Sequence, residues 1–252
     1  MLFDTHAHMN DEAFDQDREQ MILGLPDKGI QYVMNVGCSL RSSGDCIKMA
    51  ETYPFVYASV GTHPDAAAEV DEAVIEAYRK MAQHPKVLAI GEIGLDYYYE
   101  SVPREIQQKA FRMQMQLARE LQMPVIIHER DAHDDAMRIV KEFKDVTGVF
   151  HCYSGSAEMA RQLVNMGWYI GFTGVLTFKN ARKAVETAER IPLDRIVLET
   201  DCPFMAPEPF RGKRNDPGYL YRMAERLAEI RGITPEEAQT ATLENAKRLY
   251  RL

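Results

Sequence analysis

Short apolar runs alternate with amphipathic stretches along the whole chain. The apolar runs predict strands at 2–6, 31–36, 56–61, 87–92, 124–128, 148–151, 168–172 and 195–200. Between and after them, helical periodicity marks stretches near 12–28, 41–53, 69–83, 103–122, 131–144, 156–166, 179–190, 217–231 and 235–249. The clearest helix is 103–122, where Ile106, Ala110, Met113, Leu117 and Leu121 recur at steps of three and four and so share one face. Thr234-Pro235-Glu236-Glu237 reads as a helix start, with a capping threonine, proline in the first turn and acids near the positive helix end. Strand–helix alternation repeated eight times predicts an α/β protein, a (β/α)8 TIM barrel formed as a single domain over 1–252. A doubly wound open sheet is the other arrangement with this alternation.

Composition narrows the class. The 252 residues are 46% hydrophobic and 27% charged, which supports a normal buried core. A formal net charge of −8 opposes non-specific wrapping of nucleic acid but leaves room for a local basic site. The four cysteines, Cys38, Cys46, Cys152 and Cys202, form no Cys-x-x-Cys pair and are few for a disulfide framework. No apolar run nears the ~20 residues that span a bilayer, and no charged segment followed by an apolar one precedes the first strand. The expectation is a reduced, soluble, cytoplasmic protein with no membrane association and no obligate protein partner.

Polar residues at the strand ends carry the candidate chemistry. His6 and His8 alternate onto one face of the first strand, with Asp4 behind them. Glu92 is expected to end strand four, His128 strand five, His151 strand six and Asp201 strand eight. In a parallel barrel such ends meet on one face. Four imidazoles and two carboxylates exceed the three protein ligands of a single catalytic zinc and suit a pair of divalent ions. Mixed nitrogen and oxygen donors fit zinc, manganese, nickel or iron, with magnesium possible through the carboxylates. Glu199, two residues before Asp201, is either a group that orients a ligand or a core acid paired elsewhere. Cys152 and Cys202 have the opposite strand parity and are expected to face the helices, and His84 and His133 are expected on the surface.

After strand eight comes Pro209-Phe210-Arg211-Gly212-Lys213-Arg214-Asn215-Asp216-Pro217. Arg211, Lys213 and Arg214 are either a solvated surface or donors to phosphate oxygens, and following Asp201 favours the second. Arg130, two residues past His128, is a candidate of the same kind.

These residues together resemble the TatD family of metal-dependent deoxyribonucleases, a branch of the amidohydrolase-like barrels. The resemblance spans essentially the whole chain. It rests on Asp4-Thr5-His6-Ala7-His8, Gly61-Thr62-His63-Pro64, Gly91-Glu92-Ile93-Gly94-Leu95-Asp96-Tyr97, His128 with Arg130-Asp131-Ala132, His151-Cys152-Tyr153-Ser154-Gly155 and Glu199-Thr200-Asp201-Cys202-Pro203. Tyr153 stands where phenylalanine is more usual. The resemblance implies one ion on His6, His8, Glu92 and Asp201, and a second on Glu92, His128 and His151, with Glu92 bridging. It implies a substrate-facing His63, which the residues alone would leave as a loop histidine. It also implies hydrolysis of DNA phosphodiesters from a 3′ end, on single strands or frayed ends, with Asp201 as general base. Hydrolysis of small esters, lactones or amides, removal of misattached amino acids from transfer RNA, and a non-catalytic metal-binding scaffold remain as alternatives.

Overall fold

The computed structural model describes residues 1–99 and 101–252. Its strands are β1 (Leu2–Ala7), β2 (Ile30–Asn35), β3 (Val56–Val60), β4 (Val87–Asp96), β5 (Val125–Arg130), β6 (Gly148–Phe150), β7 (Tyr169–Phe172) and β8 (Ile196–Leu198). The α-helices among the described residues are α1 (Arg18–Leu23), α2 (Leu40–Thr52), α3 (Glu72–Met81), α4 (Arg104–Leu121), α5 (His133–Glu142), α6 (Ala157–Asn165), α7 (Arg182–Arg190), α8 (Leu220–Arg231) and α9 (Pro235–Tyr250). They fall into two compact units, Met1–Asn35 with Cys152–Leu252, and Val36–His151.

In the first unit β1 runs parallel to β2, with Leu2 opposite Ile30 and Ala7 opposite Asn35. β7 runs parallel to β8, and a parallel bridge joins Ala7 to Cys202, so the segment after β8 continues alongside β1. Every residue of β1 is buried, charged and apolar alike. The expected long helix at 12–28 is instead a 3-10 turn at Glu12–Phe14, the short α1, and a second 3-10 turn at Pro26–Lys28. Gly24 and Pro26 end α1, and the Arg18 guanidinium holds the preceding loop by donating to the carbonyls of Met9, Asn10 and Asp11. α9 starts with the expected cap: the Thr234 side chain accepts from Glu237 N–H at 3.2 Å, and Glu237 accepts from Thr234 N–H at 2.8 Å.

In the second unit β3, β4, β5 and β6 pair in sequence, all parallel. β4 does not stop at Glu92 but continues to Asp96, and β5 continues past His128 to Arg130. Gly94 makes that extension possible. It has φ of 144°, and a side chain there would place Cβ 2.0 Å from the His128 carbonyl oxygen. The close approach sets Gly94 opposite His128 and Asp96 opposite Arg130.

The buried face of α4 is not purely apolar. Ile106, expected in its apolar stripe, is 40% exposed, whereas Gln107 and Gln114 are each 1% exposed. The face runs through Gln107, Ala110, Phe111, Gln114, Leu117 and Ala118, also at steps of three and four. Each glutamine amide closes a two-way contact with backbone. Gln107 accepts from Asp96 N–H at 2.8 Å and donates to the Asp96 and Val102 carbonyls. Gln114 accepts from Thr62 N–H at 2.7 Å and donates to the Thr62 carbonyl at 3.0 Å. Gln107→Leu keeps the volume but leaves buried backbone groups unpaired, each worth about 1–3 kcal/mol. Urea unfolding should show at least one such increment of lost stability; an unchanged midpoint would show that the amide anchors nothing.

Candidate metal centre

The first unit contributes two histidines and an aspartate. His6 and His8 project from the same side at the end of β1, with their Nε2 atoms 3.1 Å apart. Asp201 Oδ1 lies 3.7 Å from His6 Nε2 and 3.4 Å from His8 Nε2. β8 ends at Leu198, so Asp201 is a loop residue three positions past the strand rather than its last residue. It sits at φ 55°, a left-handed conformation that aspartate tolerates, and its N–H donates to the His6 carbonyl at 2.8 Å.

Two buried acids brace this arrangement. Asp4 accepts from Thr200 N–H at 2.9 Å and from the Thr200 hydroxyl, tying β1 to the residue before Asp201. Burial pushes the Asp4 acid up to about 8, against the opposing pull of the Thr200 hydrogen bonds. Glu199 accepts from the Thr5 hydroxyl at 3.3 Å and from Cys152 N–H. Cys202 is fully buried, and burial pushes its thiol up; the Cys152 sulfur lies 3.4 Å from the Thr173 hydroxyl.

The second unit gathers Glu92, His128, His151 and His63. Glu92 Oε1 stands 2.8 Å from His128 Nδ1, 2.8 Å from His151 Nε2 and 3.9 Å from His63 Nε2. Glu92 is only 3% exposed and lies inside β4. His63, Glu92 and His128 each offer a ligand atom within 4.8 Å of the others. His63 directs its other nitrogen to Asp65, 2.9 Å away, and that contact holds the Asp65 carboxyl below its usual range.

Asp96 joins this cluster, and reading β4 as ending at Glu92 hides it. On the longer strand, residues 92, 94 and 96 share a face. Asp96 Oδ2 lies 3.1 Å from His128 Nε2, so His128 is clasped between two carboxylates. Burial lowers the His128 pKa, but Asp96 and Glu92 outweigh it and hold the ring above its ordinary value. The same clasp fixes Nδ1 toward Glu92 and His151, the usual way a carboxylate orients a ligating imidazole.

The remaining candidates part ways. Arg214 is committed to Asp17, with two contacts at 2.6 and 2.7 Å, and lies over the Phe14 ring. Arg211 lies over Phe178 at 4.3 Å, and Lys213 is exposed. Arg130 packs against Tyr98 and Tyr99. His84 and His133 are half-buried rather than on the open surface, and each faces a carboxylate, Glu51 and Glu129 respectively.

Each cluster has the donor chemistry of a divalent-ion site. Two imidazole nitrogens facing each other at 3.1 Å in the first unit, and at 3.3 Å between His128 and His151 in the second, have room for at most one proton between them. A cation satisfies both lone pairs, and an adjacent carboxylate balances its charge.

The model of the TatD related DNase family matches residues 3–251. The chain belongs to this family. The uncharacterized metal-dependent hydrolase YabD of Bacillus subtilis is 45% identical over the whole of both chains. A Salmonella typhimurium protein named 3′-5′ ssDNA/RNA exonuclease TatD is 32% identical, with 99% of this chain and 98% of that one covered. The crystal structure of YJJV, a TatD homologue from Escherichia coli k12, superposes with a TM-score of 0.93 at 29% identity over 100% of this chain and 98% of its own. The eight parallel strands with intervening helices are therefore the (β/α)8 barrel of TatD proteins, and the doubly wound sheet is set aside. This TatD protein is a metal-dependent hydrolase. No helix among its described residues is long and apolar enough to cross a membrane.

Proposed function

We propose that the chain hydrolyses phosphodiesters of single-stranded nucleic acid, working from a 3′ end with two divalent ions. The observation that carries this reading is the doubled donor set: His6, His8 and Asp201 in one unit, and Glu92, His128 and His151 in the other. The family resemblance assigns one ion to each set, with Glu92 common to both, and His63 to the substrate side. The relative named as a 3′-5′ ssDNA/RNA exonuclease supports the substrate class.

Bound divalent ions would supply Lewis acidity toward a phosphoryl oxygen and toward water. Asp201, whose backbone N–H donates to the His6 carbonyl, would take the proton of the attacking water. Asp96 and Glu92 keep His128 oriented through the reaction. Arg211 and Lys213 are the loop cations left to offset negative charge on the substrate, because Arg214 is held by Asp17.

The test compares metal-reconstituted protein on 3′-labelled DNA, 5′-labelled DNA and a small neutral ester, each with and without chelator. The expected result is early loss of the 3′ label, abolished by chelator, with little ester turnover. Chelator-sensitive ester hydrolysis with intact DNA would instead make the chain a small-molecule hydrolase.

A further inference from the structure

Two tyrosines just past β4 leave their rings in solvent. Tyr98 is 56% exposed and Tyr99 66%, while Tyr97 before them is buried and donates its hydroxyl to Asp135 at 2.8 Å. The rings meet edge to face with centroids 4.9 Å apart. Their backbone is pinned, because the N–H groups of Tyr98 and Tyr99 both donate to Asp96 Oδ1, at 2.9 and 3.2 Å. The other oxygen of that carboxylate holds His128.

Arg130 completes the surface. It sits opposite Asp96 in the β4–β5 register and two residues past His128, on the same side of the strand. Its guanidinium carbon lies 3.8 Å from the Tyr98 ring centroid and 4.9 Å from that of Tyr99. A cation over paired aromatic faces, rooted on a carboxylate that clasps a candidate metal ligand, has a definite chemical complement. It fits a flat, π-bearing group that adjoins an anion. An unstacked nucleobase with its phosphate is such a group, and a small aliphatic ester is not.

Resting on the nuclease reading above, we infer that Tyr98, Tyr99 and Arg130 form a stacking platform for a base of single-stranded nucleic acid beside the scissile phosphodiester. The tyrosines stack on the base, whichever base it is, since every base has a π-face. Arg130 supplies both stacking and positive charge to the neighbouring phosphate. A duplex end has to fray before its base reaches the rings, so the platform selects single strands.

The experiment measures fluorescence anisotropy of the full chain with two short phosphorothioate oligonucleotides, labelled at the 5′ end and resistant to cleavage. One carries all its bases; the other lacks the last bases at its 3′ end. Wild type should prefer the base-bearing strand by about five- to hundredfold per stacked base. Y98A/Y99A should erase that preference without changing the salt slope, and Y98F/Y99F should keep it. R130A should lower the slope of log affinity against log salt by about 0.7, one phosphate contact on a single strand. Circular dichroism checks that each variant is folded, and the phenylalanine pair separates ring loss from disruption. Equal affinity of wild type for both strands, in a protein that still cleaves DNA, overturns the platform and leaves the nuclease standing. A base preference that survives in Y98A/Y99A overturns it equally. If wild type neither binds nor cleaves DNA but hydrolyses small esters, the nuclease reading falls and the platform with it.

Discussion

Glu92→Gln is expected to strip metal from the protein while leaving its fold intact. Glu92 Oε1 lies 2.8 Å from both His128 Nδ1 and His151 Nε2, so one carboxylate oxygen serves two imidazoles. Glutamine keeps the shape but removes the negative charge that offsets a divalent cation in a nearly buried position. Losing even a group that only orients a ligand costs about 10- to 100-fold in metal affinity. Removing an anion that two imidazoles share should cost at least the upper figure, about 2.8 kcal/mol at 1.4 kcal/mol per decade. His128 should also lose part of the support that holds its pKa up. Elemental analysis of the purified variant, beside wild type and with circular dichroism as the folding control, measures the effect. Full wild-type metal content would show that Glu92 is no ligand.

Asp201→Asn should abolish turnover. The substitution is chosen for the backbone: residue 201 sits at φ 55°, where asparagine is as well tolerated as aspartate and alanine would be strained. The N–H bond to the His6 carbonyl is kept. What disappears is the anion beside His6 and His8 and the base that would receive a proton. General-base loss alone is worth about 10²–10⁴-fold in rate, and a weakened metal site adds to it. Steady-state kcat on single-stranded DNA, with a native far-ultraviolet spectrum as control, is the measurement. Near-native kcat in a folded variant would remove Asp201 from both roles.

Much of the molecule is legible in local pattern. Strand and helix placement follows from periodicities of two and 3.6 residues that any window of the chain displays. The His6–His8 pair is equally local, because alternation along β1, carried one residue past its end at Ala7, puts both rings on one side. The α9 cap needs only the run Thr234 to Glu237. In each case the deciding interactions join residues a few positions apart.

Other features were decided only by tertiary structure, because they depend on which distant groups meet. β4 reaches Asp96 since Gly94 lets β5 approach, and that extension turns Asp96 from a loop acid into the partner of His128. Gln107 and Gln114 break the apolar stripe of α4 because backbone amides of remote segments need partners once buried. Arg214 looks, in sequence, like its neighbours Arg211 and Lys213; only the packing of its loop against Asp17 commits it. For Tyr98 and Tyr99 it is the exposure of both rings beside Arg130 that marks them. Hydrophobic pattern reports which way a side chain faces, whereas the identity of its partner is set by contacts between segments far apart in the chain.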